Sequence, residues 1–333
     1  MTDFQGPENP PGEEKPETDD QAARLPLVIV TGPTASGKSG LALALAECAR
    51  GTLINADSMQ VYRELRILTA RPGEADAARV PHRLYGELAA ADPCSAARWR
   101  AMAVEAVAEV TAAGRLPLLV GGTGLYFRAF AEGLADIPPV PAEVRAAAQA
   151  RRRDLGPEAF HAELAARDPV LGGRLAPGDT QRVLRAWEVV EATGRPLSAW
   201  QETAPESYPG RVITLVLDPP RQDLYAACDA RVPRMVAEGA LDEVTALVRL
   251  GLDPALPAMR ALGVPELAAH LRGELSLDAA TAAMQQATRR YAKRQTTWFR
   301  HQMADAYRIT ATDLEAQAAA AMMHLEKADQ TCG

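Results

Sequence analysis

An apolar, β-branched run (Leu27 to Val30) stops at Gly32, and the chain then reads Gly32, four residues, Gly37, Lys38, Ser39. That spacing, with a strand before it and a helix-forming run (Leu41 to Ala49) after it, is a phosphate-binding loop in its required setting. Glycines let successive backbone N–H groups turn inward on an anion, and the helix N-terminus adds the positive end of its dipole. Lys38 supplies a point charge, and the Ser39 hydroxyl is placed to ligate Mg²⁺. The candidate cradle is therefore Gly32, Pro33, Thr34, Ala35, Ser36, Gly37, Lys38 and Ser39. Taken alone, such a loop favours ATP.

Other reactive side chains follow apolar runs in the same way. Asp57 ends LINAD, where it can act as a general base, hold Mg²⁺ through water, or simply cap a turn; Ser58 is an equal candidate for the cap. Gly121, Gly122, Thr123 and Gly124 follow LPLLV and form either a second phosphate-binding turn or a plain strand-to-helix turn. Arg231 sits in a helical run, either reaching a diphosphate with its planar fork or lying on a solvated face. Gln181 and Arg185 share one helix face with Arg182 nearby, a set that suits a nucleic-acid backbone or base as well as an ordinary surface. Asp218 fits the Mg²⁺-holding acid of nucleotidases only formally, since it runs into Pro219 and Pro220, and reads as a strand terminus.

The elements that must position these groups are short apolar strands at Leu27–Thr31, Thr52–Asn55, Leu116–Val120 and Val212–Leu217, separated by helical patterns such as Ala96–Ala113 and Asp229–Leu250. Alternation of this kind predicts a parallel α/β sheet with ligands beyond the carboxyl ends of the strands. From Ile137 to Pro209 only helical periodicity is present, opened by Pro138, Pro139 and Pro141 and closed by a loop with Pro205 and Pro209, which predicts a helical insertion after the third strand. Asp278–Met303 reads as one long helix with a basic face. The expected division is an acidic disordered tail (1–24), the first part of the core (25–136), the insertion (137–209), the second part of the core with C-terminal helices (210–320) and a tail (321–333).

Composition narrows the class. Among 333 residues, 47% are hydrophobic and 24% charged, as in ordinary globular proteins, and no apolar run approaches the span of a bilayer. Residues 1–24 are acidic and Pro-rich, unlike a signal peptide, and Cys48, Cys94, Cys228 and Cys332 form no CxxC pair, so a cytoplasmic protein without a zinc site or disulfide framework is expected. The net charge of −7 argues against nucleic acid, yet the first 24 residues contribute −5 of it. Ala279 to Met303 carries Arg289, Arg290, Lys293, Arg294 and Arg300 with no acid, and local fields decide phosphate attraction.

Together, GPTASGKS (32–39), NADSMQVY (55–62), TARP (69–72), PHRL (81–84), GRLPLLVGGTGLYF (114–127), DTQRVLRAWEV (179–189), TGRPLS (193–198), MVAEGALDEV (235–244) and ATRRYAKRQTTWFR (287–300) resemble the tRNA dimethylallyltransferase family, in family order. DSMQVY near a phosphate loop and AKRQTTWFR have no counterpart in kinases. The resemblance implies a P-loop NTPase-like parallel sheet core with a helical insertion domain and a helical C-terminal region. It also implies a monomer that grips the tRNA anticodon stem-loop and uses dimethylallyl diphosphate, not ATP, with Mg²⁺ near Ser39. It makes Asp57 the base at the adenine N6 amine and places Lys38, Ser39, Thr123 and Arg231 around the diphosphate. Asp57, Ser58, Met59, Gln60, Thr123, Arg145, Gln181, Arg182, Val183, Leu184, Arg185 and Arg260 fall where the family contacts tRNA. The chain departs from the family at Met259–Pro265, which lacks the usual Tyr and second Arg, and at Tyr225-Ala226-Ala227, where His-x-Arg is usual. Without the resemblance, a small-metabolite kinase and a non-catalytic nucleotide-binding module remain open.

Overall fold

In β1 (Leu27–Thr31) every residue is buried, as a strand with both faces covered requires. The computed structural model describes residues 25–203 and 207–330; the expected acidic tail, Pro205 and Cys332 lie outside the described residues. β1 pairs in parallel with β4 (Leu116–Gly121) and β5 (Val212–Leu217), while β2 (Gly51–Asn55) pairs with β4 on the far side. Two edge strands, β3 (His82–Arg83) and β6 (Tyr307–Ile309), complete a parallel sheet of order β3-β2-β4-β1-β5-β6. These edges escaped the sequence reading because two or three residues carry no periodicity, and short edges are what sheets favour. The insertion thus follows the fourth strand, not the third.

Helices α1 (Lys38–Cys48), α2 (Glu74–Arg79), α3 (Ala96–Ala112) and α4 (Gly124–Glu132) intervene between or follow the first four strands. The described residues divide into two compact units, one drawn from Met1–Phe127 and Gly210–Gly333, the other Arg128–Pro209. The second unit starts ahead of residue 137 because the end of α4 belongs to it: Tyr208 N donates to Ala131 O at 3.1 Å and the Phe130 and Tyr208 rings lie 5.0 Å apart. Its remaining helices are α5 (Ala142–Arg167), kinked where Gly156 takes φ 78° before Pro157, α6 (Pro169–Arg174), α7 (Thr180–Thr193) and α8 (Leu197–Gln201). Phe160, Leu164, Val183, Trp187 and Leu197 form its core.

The first unit continues with α9 (Arg221–Ala237), α10 (Ala240–Arg249), α11 (Val264–Leu271), α12 (Leu277–Gln302) and α13 (Leu314–Gln330). The single helix expected over Asp229–Leu250 is two helices, since Gly239 at φ 104° turns the chain between them. The segment 321–333, expected as a tail, is helical through Gln330, and Ala321 is fully buried with Leu41 and Leu45 of α1. Small alanines let α13 pack closely, so its composition does not announce a core element. Among the described residues no helix is long and apolar enough to cross a membrane.

Candidate active site

The loops after β1, β2 and β4 lie side by side at the carboxyl edge of the sheet, because β4 is hydrogen-bonded between β1 and β2. After β1, Gly37 takes φ 90° and caps α1, while Ala35 is held at φ 65°, a conformation an alanine rarely adopts and which the surrounding structure must impose. Lys38 Nζ donates to Pro33 O at 3.4 Å. Burial pulls the Lys38 ammonium down to about 8, against the attraction of Asp57 and with the repulsion of Arg231. Arg231 projects from α9, and its Nη1 donates to Thr34 Oγ1 at 2.8 Å; burial also lowers its pKa, again opposed by Asp57. Lysine, arginine and carboxylate thus meet at one place, although they come from three separate segments.

After β2, Asn55 organises the turn: its Oδ1 accepts from Asp57 N at 2.8 Å, and its Nδ2 donates to Asp57 O at 3.0 Å. Asp57 Oδ1 accepts from Met59 N at 2.9 Å and Gln60 N at 3.4 Å. The carboxylate therefore does cap a turn, but with one oxygen; Oδ2 has no hydrogen-bond partner among the described residues. Thr123 Oγ1 accepts from Ser58 N at 3.0 Å and approaches Ser58 Oγ at 3.3 Å, so the turn after β4 props the one that bears Asp57. Gln60 is buried, with Nε2 donating to Thr69 O at 2.9 Å and Ala70 O at 3.2 Å, which turns that side chain inward.

Two cavities open on this cluster. One, of about 530 Å³, is lined by Ser39, by Arg66, Arg71, Arg231 and Arg234 against the two acids Asp76 and Glu238, and by the apolar Leu43, Leu53, Ile67 and Met235. The other, of about 250 Å³, is lined by Thr34, Asp57, Ser58, Met59, Arg231, Arg260, Tyr291 and Arg294. Arg231 is common to both. A cationic chamber with apolar walls suits a phosphorylated hydrocarbon, and the smaller chamber, with a carboxylate and an aromatic ring, has room for a flat base.

Sequence reasoning missed two glutamines that hold the phosphate loop. Gln295, buried on α12, accepts from Thr34 N at 2.8 Å and donates to Gly122 O at 2.8 Å, tying the loop after β1 to the turn after β4. A Cβ at Gly122 would stand 2.3 Å from Gln295 Nε2, which explains that glycine. Gln317, on α13, donates to Ser36 O at 3.3 Å and Ala311 O at 3.0 Å. A glutamine in a polar helix gives no local sign of such a role. Asp218 is paired with Arg300 at 3.2 Å and Arg308 at 3.6 Å, as a strand terminus neutralised by two cations.

In the second unit, Gln181, Arg182 and Arg185 are exposed on α7, and exposed Arg145 on α5 lies close enough to Arg185 to repel its charge. Val183 departs from the expected tRNA-binding set, because it is fully buried in the unit's core, with Leu184 packed against it. In the first unit, Arg290, Lys293, Arg294, Trp298 and His301 line a surface groove along α12, while Arg289 is paired with Asp229.

A phosphate loop, a carboxylate two strands away and two chambers sharing one arginine define a P-loop-type protein built to bind a phosphorylated donor beside an acceptor. The chain belongs to the IPP transferase family, whose model matches residues 60–302. It is similar to the tRNA dimethylallyltransferase of Rhodospirillum centenum, 62% identical over 293 residues that cover 87% of this chain and 93% of that protein. Among solved structures it is similar to the tRNA isopentenylpyrophosphate transferase of Bacillus halodurans, at 30% identity and a TM-score of 0.65, covering 93% of this chain and all of that one (100%). A eukaryotic dimethylallyltransferase acting on tRNA shares the fold, with a TM-score of 0.77 at 24% identity over 90% of this chain and 77% of that one.

Proposed function

We propose that the protein transfers a dimethylallyl group from dimethylallyl diphosphate to N6 of the adenosine 3′-adjacent to the anticodon in tRNA, giving N6-isopentenyladenosine and diphosphate. The observation that carries this reading is Arg231, which lines both cavities, so that leaving group and acceptor meet at one guanidinium. Family membership and the activity named for the relatives support it. The loop's anion is then the donor's diphosphate rather than the phosphates of ATP.

The donor chamber holds the prenyl chain against Leu43, Leu53, Ile67 and Met235. Negative charge grows on the diphosphate as the allylic C–O bond breaks, and Lys38, Arg231 and the loop amides stabilise it. The target adenine is extruded from its stack into the smaller chamber. N6 attacks the allylic carbon, and Asp57 takes the proton through its free oxygen as the new C–N bond makes N6 cationic.

Mg²⁺ fits a site of this composition. Among the described residues no group of three or more His, Cys, Asp or Glu could hold a metal, so a protein cage is absent, but Ser39 lines the donor chamber. One hydroxyl, diphosphate oxygens and waters form the oxygen set Mg²⁺ prefers. Bound there, the ion would supply further charge neutralisation to the leaving group.

Gln181, Arg182, Arg185 and Arg145 on the second unit, Arg260, and the basic groove of α12 would grip the anticodon stem-loop through its phosphates. We take the protein to act as a cytoplasmic monomer. The test is transfer of label from dimethylallyl diphosphate to unmodified tRNA, with ATP-dependent phosphorylation run in parallel. Asp57→Ala is expected to abolish transfer while diphosphate binding persists; near-normal turnover in that variant would remove Asp57 from its role as base.

A further inference from the structure

Between the two chambers runs a single irregular segment. Arg66, Ile67, Ala70 and Arg71 line the donor side, whereas Leu68 and Thr69 line the acceptor side. This wall lies outside regular secondary structure, yet it is held from two directions. Glu243, in the first turn of α10, accepts three consecutive backbone amides: Oε2 from Arg66 N at 2.8 Å and Ile67 N at 2.7 Å, and Oε1 from Leu68 N at 3.0 Å. From the opposite side Gln60 holds the carbonyls of Thr69 and Ala70.

Three amides converging on one point form an anion-binding nest, and here the chain's own carboxylate fills it. Charge-assisted bonds to both carboxylate oxygens fix the direction of the segment more tightly than a single neutral bond would. Fixing the backbone at Ile67 and Leu68 fixes the two side chains that face the separate chambers. Leu68 belongs to a buried cluster with Met284 and Leu267, and Ile67 packs against the same cluster, so side-chain packing holds the wall from one direction and the Glu243 anchor fixes its backbone.

We propose that Glu243 is a positioning residue for the transfer: it holds the Arg66–Thr69 segment as the partition between donor and acceptor, and thereby excludes water from the allylic carbon until the acceptor amine is in place. This rests on the transfer reading given above. A loosened partition admits a competing reaction, in which a water oxygen bonds to the allylic carbon, the C–O bond to diphosphate breaks, and one water proton passes to solvent. The products are dimethylallyl alcohol and diphosphate.

The experiment measures single-turnover transfer to unmodified tRNA and, in the same samples, diphosphate released per prenyl group transferred. Glu243→Gln keeps the side-chain shape but turns a donor nitrogen toward an amide, so at least one of the three bonds is lost. Transfer is expected to fall about 10- to 100-fold, the scale of loss when reacting groups are misplaced by about 1 Å. Release should exceed transfer, where the unaltered protein keeps the two equal. Affinity for inorganic diphosphate, held by Lys38 and Arg231, should be unchanged. Glu243→Asp, with its charge kept and its reach shortened, should lie between. Ile67→Ala opens the donor side without touching the anchor and should also uncouple release from transfer, which keeps the idea testable if Glu243→Gln fails to fold by thermal melting. Release equal to transfer in folded Glu243→Gln and in Ile67→Ala overturns the proposal, whatever the rate. Absence of transfer by the unaltered protein overturns the functional reading itself, and this one with it.

Discussion

Lys38 carries a charge that burial makes expensive and that, on the proposed reading, an arriving diphosphate would stabilise. In the free protein its pKa lies near 8, so the ammonium is present below that pH and lost above it. Binding an anion raises the pKa again. The Lys38 contribution to diphosphate affinity is therefore constant below about pH 8 and declines as pH rises through that value, by at most about tenfold per pH unit. Titration calorimetry with inorganic diphosphate between pH 6.5 and 9.5, set against Lys38→Met, isolates this from the ionisation of the ligand: the two proteins should converge at high pH. A difference that persists undiminished above pH 9 would count against the lowered pKa. The glycine, lysine and serine spacing around Lys38 was plain from the sequence because a phosphate loop is local, made by contiguous residues. Asp57 was plain as to place but not as to duty, since carboxylates that cap turns and carboxylates that accept protons look alike in sequence; the structure shows Oδ1 capping the turn and Oδ2 without a hydrogen-bond partner among the described residues. Glu243 was invisible, because nothing within MVAEGALDEV says that its side chain meets amides at 66–68.

At the scale of elements, the site depends on α12 as much as on the sheet. Gln295 joins the loops after β1 and β4, and both of its bonds are to backbone groups, so an aliphatic replacement leaves a part-buried donor and a buried acceptor unpaired. Gln295→Leu is expected to cost about 1–3 kcal/mol per orphaned group in denaturant unfolding and to weaken diphosphate binding, while Gln295→Glu should retain the Thr34 bond and lose the one to Gly122. Unchanged unfolding midpoints and diphosphate affinity in Gln295→Leu would show that the loops hold each other without the bridge. The four long strands were legible because buried parallel strands are continuous apolar runs. β3 and β6 were not, and neither was the break at Gly239, because a lone glycine within a helical pattern is as often tolerated as terminal.

For the molecule as a whole, the chain divides into two compact units. The groups proposed to bind the donor all lie in the first unit, and the exposed set Arg145, Gln181, Arg182 and Arg185 lies in the second. Arg182→Ala with Arg185→Ala should weaken tRNA binding and reduce the slope of log affinity against log salt by about one for each phosphate left without its cation, while inorganic diphosphate binds as before. Parallel loss of diphosphate affinity would instead mean that the substitutions disturb the first unit. The helical unit was foreseeable from the absence of any strand-like run between the proline cluster and Pro209, but its start was not, because α4 crosses the boundary without a break in pattern.

The hydrogen bond between Ser36 and Gln317 spans 281 residues of chain. During synthesis the anion-binding loop is among the first described segments to be made, whereas the side chain that braces it is among the last. A nascent chain released early would possess the loop's complete sequence and most of the sheet, yet lack the helix that fixes the loop from behind. Synthesis past the helix that bears Gln317 is thus a condition for the finished loop, and the time between making and bracing it is set by the pace of the ribosome.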